Sequence, residues 1–279
     1  MKISIVTPNY NYGEFLIKAI KNVFAQTEAE DSPIVEHIII DGGSTDNSVK
    51  YMQEWDKFIE TIPADRKSRY SFSWVSEKDR GQTDAINKGL RKSTGDIMCW
   101  LNSDEEYKPN ALKDIANAFE KHPKYDLIYG DIDFVDAQGN FLRTRYGHIY
   151  SYGVLLYYGC YIPSASAFWR RTAYEKFGEL DPKIITMMDT EYWVRMAKQG
   201  CKFKYLPKIL AQFIWHENNV STIYRDKYKE ELLCNQILYG AKFFNNIKAQ
   251  IFIIKILNRV WFFYRQILRL HSKLYRKFY

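Results

Sequence analysis

Short apolar runs alternate with segments of helical periodicity through the first 122 residues of this chain. The apolar runs predict buried strands at residues 3–6, 35–40, 70–75 and 97–101. The segments that follow them predict helices at residues 13–26, 44–60, 82–91 and 109–122. Repeated strand–helix units favour an α/β fold with a mostly parallel central sheet flanked by helices.

The pattern changes after residue 131, where the apolar segments become short. Segments 127–130, 133–135 and 141–146 are brief, and residues 150–160 are apolar and aromatic. Residues 165–169 predict one more strand, and residues 189–199 predict one more helix. A chain of 279 residues can bury one sizeable core plus a small appendage, so we expect a single domain with an extension.

The net charge of +7 is concentrated at one end of the chain. Residues 242–279 hold nine Lys or Arg residues and no Asp or Glu. The other residues hold 31 basic and 33 acidic side chains, a net charge of −2. A body with so little charge gives no reason to expect a nucleic-acid partner.

Cysteine usage and hydropathy favour a cytoplasmic protein. The four cysteines are widely separated and form no CxxC pair, which argues against a zinc site and a disulfide framework. Residues 3–6 are too short for a signal peptide, so we expect none. No stretch approaches the ~20 apolar residues that a membrane-spanning helix needs.

Polar and glycine-rich loops follow the four predicted strands directly, at residues 7–10, 41–43, 77–81 and 102–105. Ligands of open α/β sheets bind outside the carboxyl ends of the strands, so these loops predict a binding site. The acidic loop after residue 101 suits Mg²⁺ or Mn²⁺ and a phosphate group, or else caps the next helix as a solvated turn. The chain has neither GxGxxG nor GxxxxGK[ST] in these loops.

Four motifs, taken in order, resemble family 2 glycosyltransferases over residues 1–225. The motifs are IVTPNYN at 5–11, IDGGSTD at 40–46, SEKDRGQTDAINKG at 76–89, and Gly95-Asp96 leading into LNSDE at 101–105. The resemblance implies a GT-A type fold and transfer of a sugar from a nucleotide sugar with inversion at the anomeric carbon. It divides the chain into a catalytic domain, 1–225, and a helical extension, 226–279.

The resemblance also implies which residues bind the donor. The nucleotide and donor sugar would contact Thr7, Pro8, Asn9, Tyr10, Asp41, Asp79, Arg80, Gly81, Asp84, Asn102 and Ser103. Asp41 would hydrogen-bond the base, which in this family is most often uracil, although its loop also suits a helix-capping turn. A UDP-linked sugar is therefore the expected donor.

The resemblance assigns Asp104 to a metal ion, Mn²⁺ or Mg²⁺, because the last Asp of this motif normally binds the metal. His216 would be a second ligand or a phosphate donor, and it also suits a structural role. Glu105 replaces the Asp more often seen after the motif, which changes the reach of that side chain.

The expected catalytic base is Asp189, with Glu191 as the second candidate. Removing the proton from an acceptor hydroxyl requires such a base. A carboxylate at the start of a helix also suits a plain N-cap.

The tail predicts an amphipathic helix over residues 245–279. Its basic residues fall within an arc of about 120°: Lys248, Lys255, Arg259, Arg265, Arg269, Lys273, Arg276 and Lys277. Apolar residues occupy the other side: Ile253, Ile256, Leu257, Val260, Trp261, Phe263, Ile267, Leu268, Leu274 and Phe278. This pattern is typical of a helix on an anionic membrane surface, and also suits a helix packed on the body or in a dimer.

These expectations combine into a metal-dependent, inverting, peripheral membrane glycosyltransferase on the inner face of the cytoplasmic membrane. Its acceptor would be a glycan or a lipid-linked acceptor in bacterial surface polysaccharide assembly. Two alternatives remain open: a non-catalytic relative that binds a nucleotide sugar or a partner, and a sugar nucleotidyltransferase. The second alternative is weaker because residues 7–13 contain no basic residue for a phosphate loop.

Overall fold

A computed structural model describes residues 1–216, 219 and 225–276 of the chain. The strands are β1 Lys2–Asn9, β2 Ile34–Asp41, β3 Tyr70–Ser76, β4 Ile97–Trp100, β5 Glu105–Tyr107, β6 Leu127–Asp136, β7 Phe141–Arg145, β8 Ala167–Arg170 and β9 Phe203–Trp215. The α-helices are α1 Gly13–Ala25, α2 Ser48–Thr61, α3 Ala64–Lys67, α4 Gln82–Lys92, α5 Ala111–Lys121, α6 Arg171–Phe177, α7 Met188–Lys198, α8 Arg225–Tyr239 and α9 Ile247–Tyr275. A π-helical turn, Val154–Tyr158, and a 3₁₀ turn, Ser164–Ser166, lie between β7 and β8.

The strands form one sheet in the order β3-β2-β1-β4-β8-β6-β9-β5, and β7 pairs with β6. Strands β1 to β4 are mutually parallel, as the sequence predicts. Strand β8 runs antiparallel to both β4 and β6, and β5 runs antiparallel to β9. The α/β prediction is confirmed, and the sheet as a whole is mixed rather than mostly parallel.

The centre of the sheet is buried on both faces, because helices cover both of them. Ile3, Ile5 and Val6 of β1 are fully buried, and so are all four residues of β4. Continuous apolar runs of this kind are typical of central parallel strands.

Three fully buried tryptophans join the sheet to α7. The ring of Trp100 on β4 lies 5.3 Å from that of Trp169 on β8 and 5.6 Å from that of Trp193 on α7. The Trp169 and Trp193 rings are 5.4 Å apart. This cluster fixes the start of α7 relative to the carboxyl end of β4, where the acidic loop begins.

Several strands differ from the sequence prediction. Strand β1 extends through residues 7–9, which the sequence predicts as a loop, and β9 is not predicted. The predicted turn at 102–105 leads into the short strand β5, since Glu105 pairs with Phe213 and Tyr107 pairs with Ala211 on β9. Segments 127–130 and 133–135 form one strand, β6, whose register against β9 shifts between Tyr129 and Ile132. A shift of this kind interrupts the apolar alternation, which explains why the sequence suggests two pieces.

One carboxylate of helix α8 bonds the segment that leads into α7. Glu231 accepts hydrogen bonds from the backbone N–H groups of Ile185, Thr186 and Met187 at 3.0, 2.9 and 3.1 Å. These three residues lead directly into α7, so α8 supports the start of that helix.

Helix α9 packs one side on the body. Trp261 lies against Gly153, where a Cβ atom would be 2.2 Å from the indole ring, and Ile254 and Leu268 are buried. Ser272 accepts a hydrogen bond from the Ile149 N–H group at 3.3 Å. Within the described part of the chain, no helix is long and apolar enough to cross a membrane.

The predicted division of α9 into a basic and an apolar face needs correction. Trp261 and Leu268 from the predicted apolar face, and Arg265 and Arg276 from the predicted basic face, contact the body. The exposed apolar row is Phe252, Ile256, Val260, Phe263, Ile267, Leu270 and Leu274. Lys277 and Phe278 lie outside the described residues. The helix carries apolar residues on two sides because one side faces the protein core.

Candidate active site

A cavity of about 520 Å³ lies at the carboxyl ends of β1 to β4. It is lined by Pro8, Asn9, Tyr10, Tyr12, Gly42, Lys78, Asp79, Gly81, Gln82, Ala85, Asn102, Ser103 and Asp104. The four loops that the sequence singles out thus meet at one edge of the sheet. Seven of the eleven residues assigned to the donor lie in the lining: Pro8, Asn9, Tyr10, Asp79, Gly81, Asn102 and Ser103.

Asp41 is fully buried beneath this cavity. Its carboxylate accepts hydrogen bonds from Asn9 Nδ2 and the Ser44 hydroxyl at 2.7 and 2.5 Å. It also accepts from the N–H groups of Gly43 and Ser44 and from the Ser76 hydroxyl. These five donors occupy the acceptor positions of both carboxylate oxygens, so Asp41 stabilises the loop. The base of a nucleotide could hydrogen-bond Asp41 only by displacing one of them.

Thr7 also lies outside the cavity lining. Its side chain is fully buried, and its hydroxyl is 2.9 Å from Nε2 of His37 in the middle of the sheet. The Nδ1 atom of the same imidazole is 3.1 Å from the Tyr70 hydroxyl. The structure therefore places Thr7 in the core beneath the pocket.

Glycines allow the loops after β2 and β3 to approach each other closely. A Cβ atom at Gly42 would lie 2.9 Å from Oδ2 of Asp79. Gly81 has φ of 110°, which other residues rarely adopt, and its N–H donates to Asp79 Oδ1 at 2.8 Å. Together these two glycines set the position of the Asp79 carboxylate at the cavity wall.

Arg80 and Asp84 bond to each other rather than to the cavity. Arg80 Nη2 lies 2.7 Å from Asp84 Oδ1, and the Arg80 side chain is 79% exposed. This hydrogen bond lowers the pKa of Asp84. Lys88 lies 3.8 Å from the same carboxylate. Neither Arg80 nor Asp84 belongs to the lining, in contrast to the role that the resemblance implies.

The loop after β4 is held in place by its own side chains. The Ser103 hydroxyl donates 3.0 Å hydrogen bonds to Pro8 O and Asn9 Oδ1. Asn102 Oδ1 accepts from Gln82 at 2.7 Å, and the Asn102 N–H donates to Glu105 Oε2 at 2.8 Å. Glu105 thus closes the turn that presents Asp104. Burial, followed by the charge of Asp104, raises the pKa of Glu105 to about 8.

Asp104 and His216 place an oxygen and a nitrogen at the same point of the cavity edge. Asp104 Oδ2 is 3.1 Å from His216 Nε2 and accepts a 2.9 Å hydrogen bond from Asn219 Nδ2. The imidazole is stacked on Phe15, with ring centroids 5.0 Å apart.

The donor set of this pair fits a divalent ion. Carboxylate oxygen suits Mg²⁺ or Mn²⁺, and imidazole nitrogen suits Mn²⁺ more than Mg²⁺. Among residues 1–216, 219 and 225–276, no three His, Cys, Asp or Glu side chains converge as a complete metal cage. An ion bound here would therefore take its other ligands from substrate phosphates and water, as Mg²⁺ commonly does in enzymes that act on phosphates.

Asp189 stands at the first turn of α7. Its Oδ1 accepts from the Thr190 N–H at 2.6 Å and from the Thr190 hydroxyl at 3.1 Å, and its Oδ2 is 3.5 Å from the Cys160 thiol. Burial raises the pKa of Asp189. The charge of Asp189 also contributes to the raised pKa of Glu105.

Glu191 already bonds to two other side chains. Its carboxylate pairs with Arg195 Nε at 2.8 Å and accepts the Tyr239 hydroxyl at 2.7 Å. The side chain is buried within this group. Glu191 therefore joins α7 to α8, and Asp189 is the better placed of the two predicted bases.

The lining includes three polar residues that the sequence reasoning does not single out: Tyr12, Lys78 and Gln82. Burial and the charge of Asp104 raise the pKa of the Tyr12 hydroxyl. All three lie in loops or at a helix start directly after a strand. A place directly after a strand can be recognised in the sequence. It does not show which side chains face the cavity.

A family model described as glycosyl transferase family 2 matches residues 4–194. An uncharacterized glycosyltransferase of Nostoc sp. is 31% identical over 194 residues, which make up 65% of this chain and 55% of the relative. The chain thus spans about half the length of that relative.

Two solved structures share the fold. S. aureus TarS 1–349 in complex with UDP aligns with a TM-score of 0.61 at 15% identity, covering 87% of this chain and 67% of that chain. The mannosyltransferase PcManGT from Pyrobaculum calidifontis, in complex with GDP-Man and Mn²⁺, aligns with a TM-score of 0.60 at 16% identity, covering 86% and 65%. At these identities the likeness establishes the fold alone, and it confirms the predicted GT-A type. Since the family model matches more than half of the residues, the chain belongs to glycosyl transferase family 2.

Proposed function

We propose that the protein is a metal-dependent, inverting glycosyltransferase that moves a sugar from a nucleotide sugar to an acceptor hydroxyl. One observation carries the proposal: Asp104 lines the cavity beside His216, and the charge of Asp189 acts on Glu105, the residue that follows Asp104 in the chain. The first carboxylate suits the diphosphate side of a donor. The second suits the acceptor side, where a proton must be removed.

The cavity supports a nucleotide donor. Tyr10 lines it with a ring that is 60% exposed and could stack on a base, and Lys78 brings a cation to the same wall. We favour a UDP-linked sugar, because the family most often uses uracil and the TarS structure was solved with UDP. A GDP-linked sugar is the next choice, given the GDP-Man in PcManGT.

The side chains would divide the reaction between them. Asp104 and His216 would hold Mn²⁺ or Mg²⁺. A divalent ion, when bound, supplies positive charge that stabilises the departing diphosphate. Asp189 takes the proton of the acceptor hydroxyl, and its raised pKa makes its carboxylate a stronger base. The acceptor oxygen then attacks the anomeric carbon from the face opposite the diphosphate.

The tail supports a membrane-surface location. The row from Phe252 to Leu274 is exposed along α9, and Lys255, Arg259 and Lys273 border it on one side. We propose that this face docks on the anionic inner face of the cytoplasmic membrane. The acceptor would then be a glycan or a lipid-linked acceptor of surface polysaccharide assembly.

A donor-turnover assay tests the proposed chemistry. The full chain is incubated with Mn²⁺ and, in turn, UDP-glucose, UDP-N-acetylglucosamine and GDP-mannose, with water as the acceptor that takes the sugar, and the released nucleoside diphosphate is measured. We expect one donor to be turned over, and Asp189→Asn to lower the rate by about 10²- to 10⁴-fold, the range for losing a general base. Asp65→Asn, at an exposed carboxylate on α3 outside the motifs and the cavity lining, should leave the rate unchanged. Equal rates for Asp189→Asn and the wild type would contradict the assignment.

A further inference from the structure

Among the residues that the structure describes, Arg265 of α9 is a buried cation without a carboxylate partner. The residue is 8% exposed, and its Nη1 atom donates to the Tyr158 hydroxyl at 3.1 Å. Its guanidinium lies over the Tyr158 ring, 4.4 Å from the centroid. Its Nε atom has no hydrogen-bond partner among the described residues. A buried charge left in this state is costly, so the free donor suggests a missing anion.

Two further arginines stand near Arg265. Burial lowers the pKa of Arg265, and the charges of Arg269 and Arg145 lower it further while Tyr158 opposes them. Arg145 donates from Nη2 to the Cys160 carbonyl oxygen. In the described part of the chain, none of the three arginines forms an ion pair with a carboxylate. The charge of Arg145 acts on the Asp189 carboxylate, and the described residues supply no acid that pairs directly with Arg265 or Arg269. Such cations match the needs of a phosphate group, which guanidinium groups bind through paired N–H donors.

Arg145 of this cluster is linked to the proposed catalytic base through Cys160. Arg145 bonds the carbonyl of Cys160, whose thiol is 3.5 Å from Asp189 Oδ2. Arg265 bonds Tyr158, only two residues earlier in the chain. An anion held by these arginines would therefore lie close to Asp189, and separate from the diphosphate side at Asp104.

An apolar groove begins beside the arginines. A cavity of about 440 Å³ is lined by Tyr157, Tyr158, Leu232, Asn258, Arg259, Phe262 and Phe263. Tyr158 belongs to both features, since its hydroxyl bonds Arg265 and its ring lines the groove. Phe263, which is 66% exposed, belongs to the outward apolar row of α9. A chain leaving the groove would thus meet the face that we propose rests on the membrane.

We propose that Arg145, Arg265 and Arg269 form a subsite for the phosphate of a lipid-linked acceptor, whose apolar chain lies in the groove beside Tyr158. The proposal rests on the proposed transferase function, because it uses Asp189 as the point where the acceptor hydroxyl is activated. It narrows the acceptor from any glycan to a sugar or alcohol carried on a phosphorylated lipid. Each part of the ligand has a complementary surface. The arginines would bind the phosphate, and the aromatic rings of the groove would contact the apolar chain.

Calorimetric titration of the full chain with farnesyl phosphate tests the subsite, in EDTA and below the micelle threshold. We expect saturable binding that weakens about tenfold or more in Arg265→Gln and in Arg145→Gln, the effect of losing a charged hydrogen-bond donor. Arg265→Lys, which keeps the charge, should recover part of the affinity. Arg91→Gln, at an exposed arginine on α4, should bind as the wild type does. Equal affinity in the wild type and the two glutamine variants would overturn the proposal.

Two further ligands separate the parts of the proposal. Farnesol should bind more weakly than farnesyl phosphate, and so should inorganic phosphate; equal binding of either one would overturn the lipid-phosphate assignment. Thermal unfolding checks each variant, and Arg145→Gln carries the test if Arg265→Gln does not fold. UDP titration of the same samples with Mn²⁺ keeps the two proposals apart. Loss of lipid binding with UDP binding intact places the defect at the subsite, whereas absent UDP binding in the wild type counts against the donor site.

Discussion

At the scale of single residues, Asp104 and Asp189 differ in what surrounds them. Asp104 faces nitrogen atoms of His216 and Asn219 at the edge of the cavity. Asp189 is held by Thr190 and the Cys160 thiol, and burial raises its pKa. Two carboxylates with such different neighbours are suited to different tasks, one toward a cation and one toward a proton.

His37, which holds Thr7 beneath the cavity, should make stability depend on pH. Burial lowers the pKa of this fully buried imidazole from 6.5 to about 3. The unfolded chain therefore takes up the proton first as the pH falls, so the histidine costs stability below pH 6.5. Between pH 6.5 and 5 we expect it to remove about 2 kcal/mol from the free energy of unfolding.

Urea unfolding at pH 7.5 and pH 5 measures this loss. His37→Gln, which keeps a polar side chain beside Thr7 and Tyr70, should lose less stability between the two pH values than the wild type. His122→Gln, at a half-buried imidazole that directly follows α5, serves as the comparison. An identical pH dependence in His37→Gln and the wild type would show that His37 does not titrate as described.

The sequence is a good guide to residues whose role depends on their place after a strand. It leads correctly to the cavity position of Asn102, Ser103 and Asp104, which follow β4 directly. It does not show where a side chain points. Thr7 lies within β1 rather than in the expected loop and points toward His37, and Arg80 stands in the expected loop but turns outward to Asp84. These directions depend on partners that lie far away in the sequence.

At the scale of elements, α8 matters because it supports the start of α7. Glu231→Ala would leave the N–H groups of Ile185, Thr186 and Met187 without an acceptor. We expect a loss of about 1–3 kcal/mol in the free energy of unfolding, the cost of unsatisfied buried groups. The neighbouring Glu230, whose side chain is 71% exposed, provides a matched control, and Glu230→Ala should change stability by no more than about 0.5 kcal/mol. Chemical denaturation measures both variants. Equal midpoint denaturant concentrations for Glu231→Ala and Glu230→Ala would refute the prediction.

The outward row of α9 should decide membrane binding. Ile267→Glu with Leu270→Glu places two acids in the row without touching the packed side of the helix. We expect at least about tenfold weaker binding to vesicles that contain anionic lipid, because both the apolar contact and the charge attraction are reduced. Phe141→Glu, at an equally exposed ring on β7, should bind as the wild type does. Co-sedimentation that is unchanged by the double substitution would argue against the membrane face.

At the scale of the whole molecule, the parallel half of the sheet could be predicted and the mixed half could not. Strands β1 to β4 alternate with helices, so periodicity alone reveals them. Strand β5 has three residues and consists of Glu105, Glu106 and Tyr107, a composition that suggests a turn. It becomes a strand because β9 pairs with it from about a hundred residues further along the chain. A long-range pairing of this kind leaves no local pattern.

The central claim is that the cavity binds a nucleoside diphosphate through a metal ion at Asp104. Calorimetric titration of the full chain with UDP, with Mn²⁺ and then with EDTA, tests it most directly. We expect binding with Mn²⁺ that weakens by about tenfold or more in EDTA and in Asp104→Ala, because Asp104 would hold a divalent cation whose charge attracts the diphosphate. UDP binding that is equally tight with EDTA and in Asp104→Ala would contradict the claim.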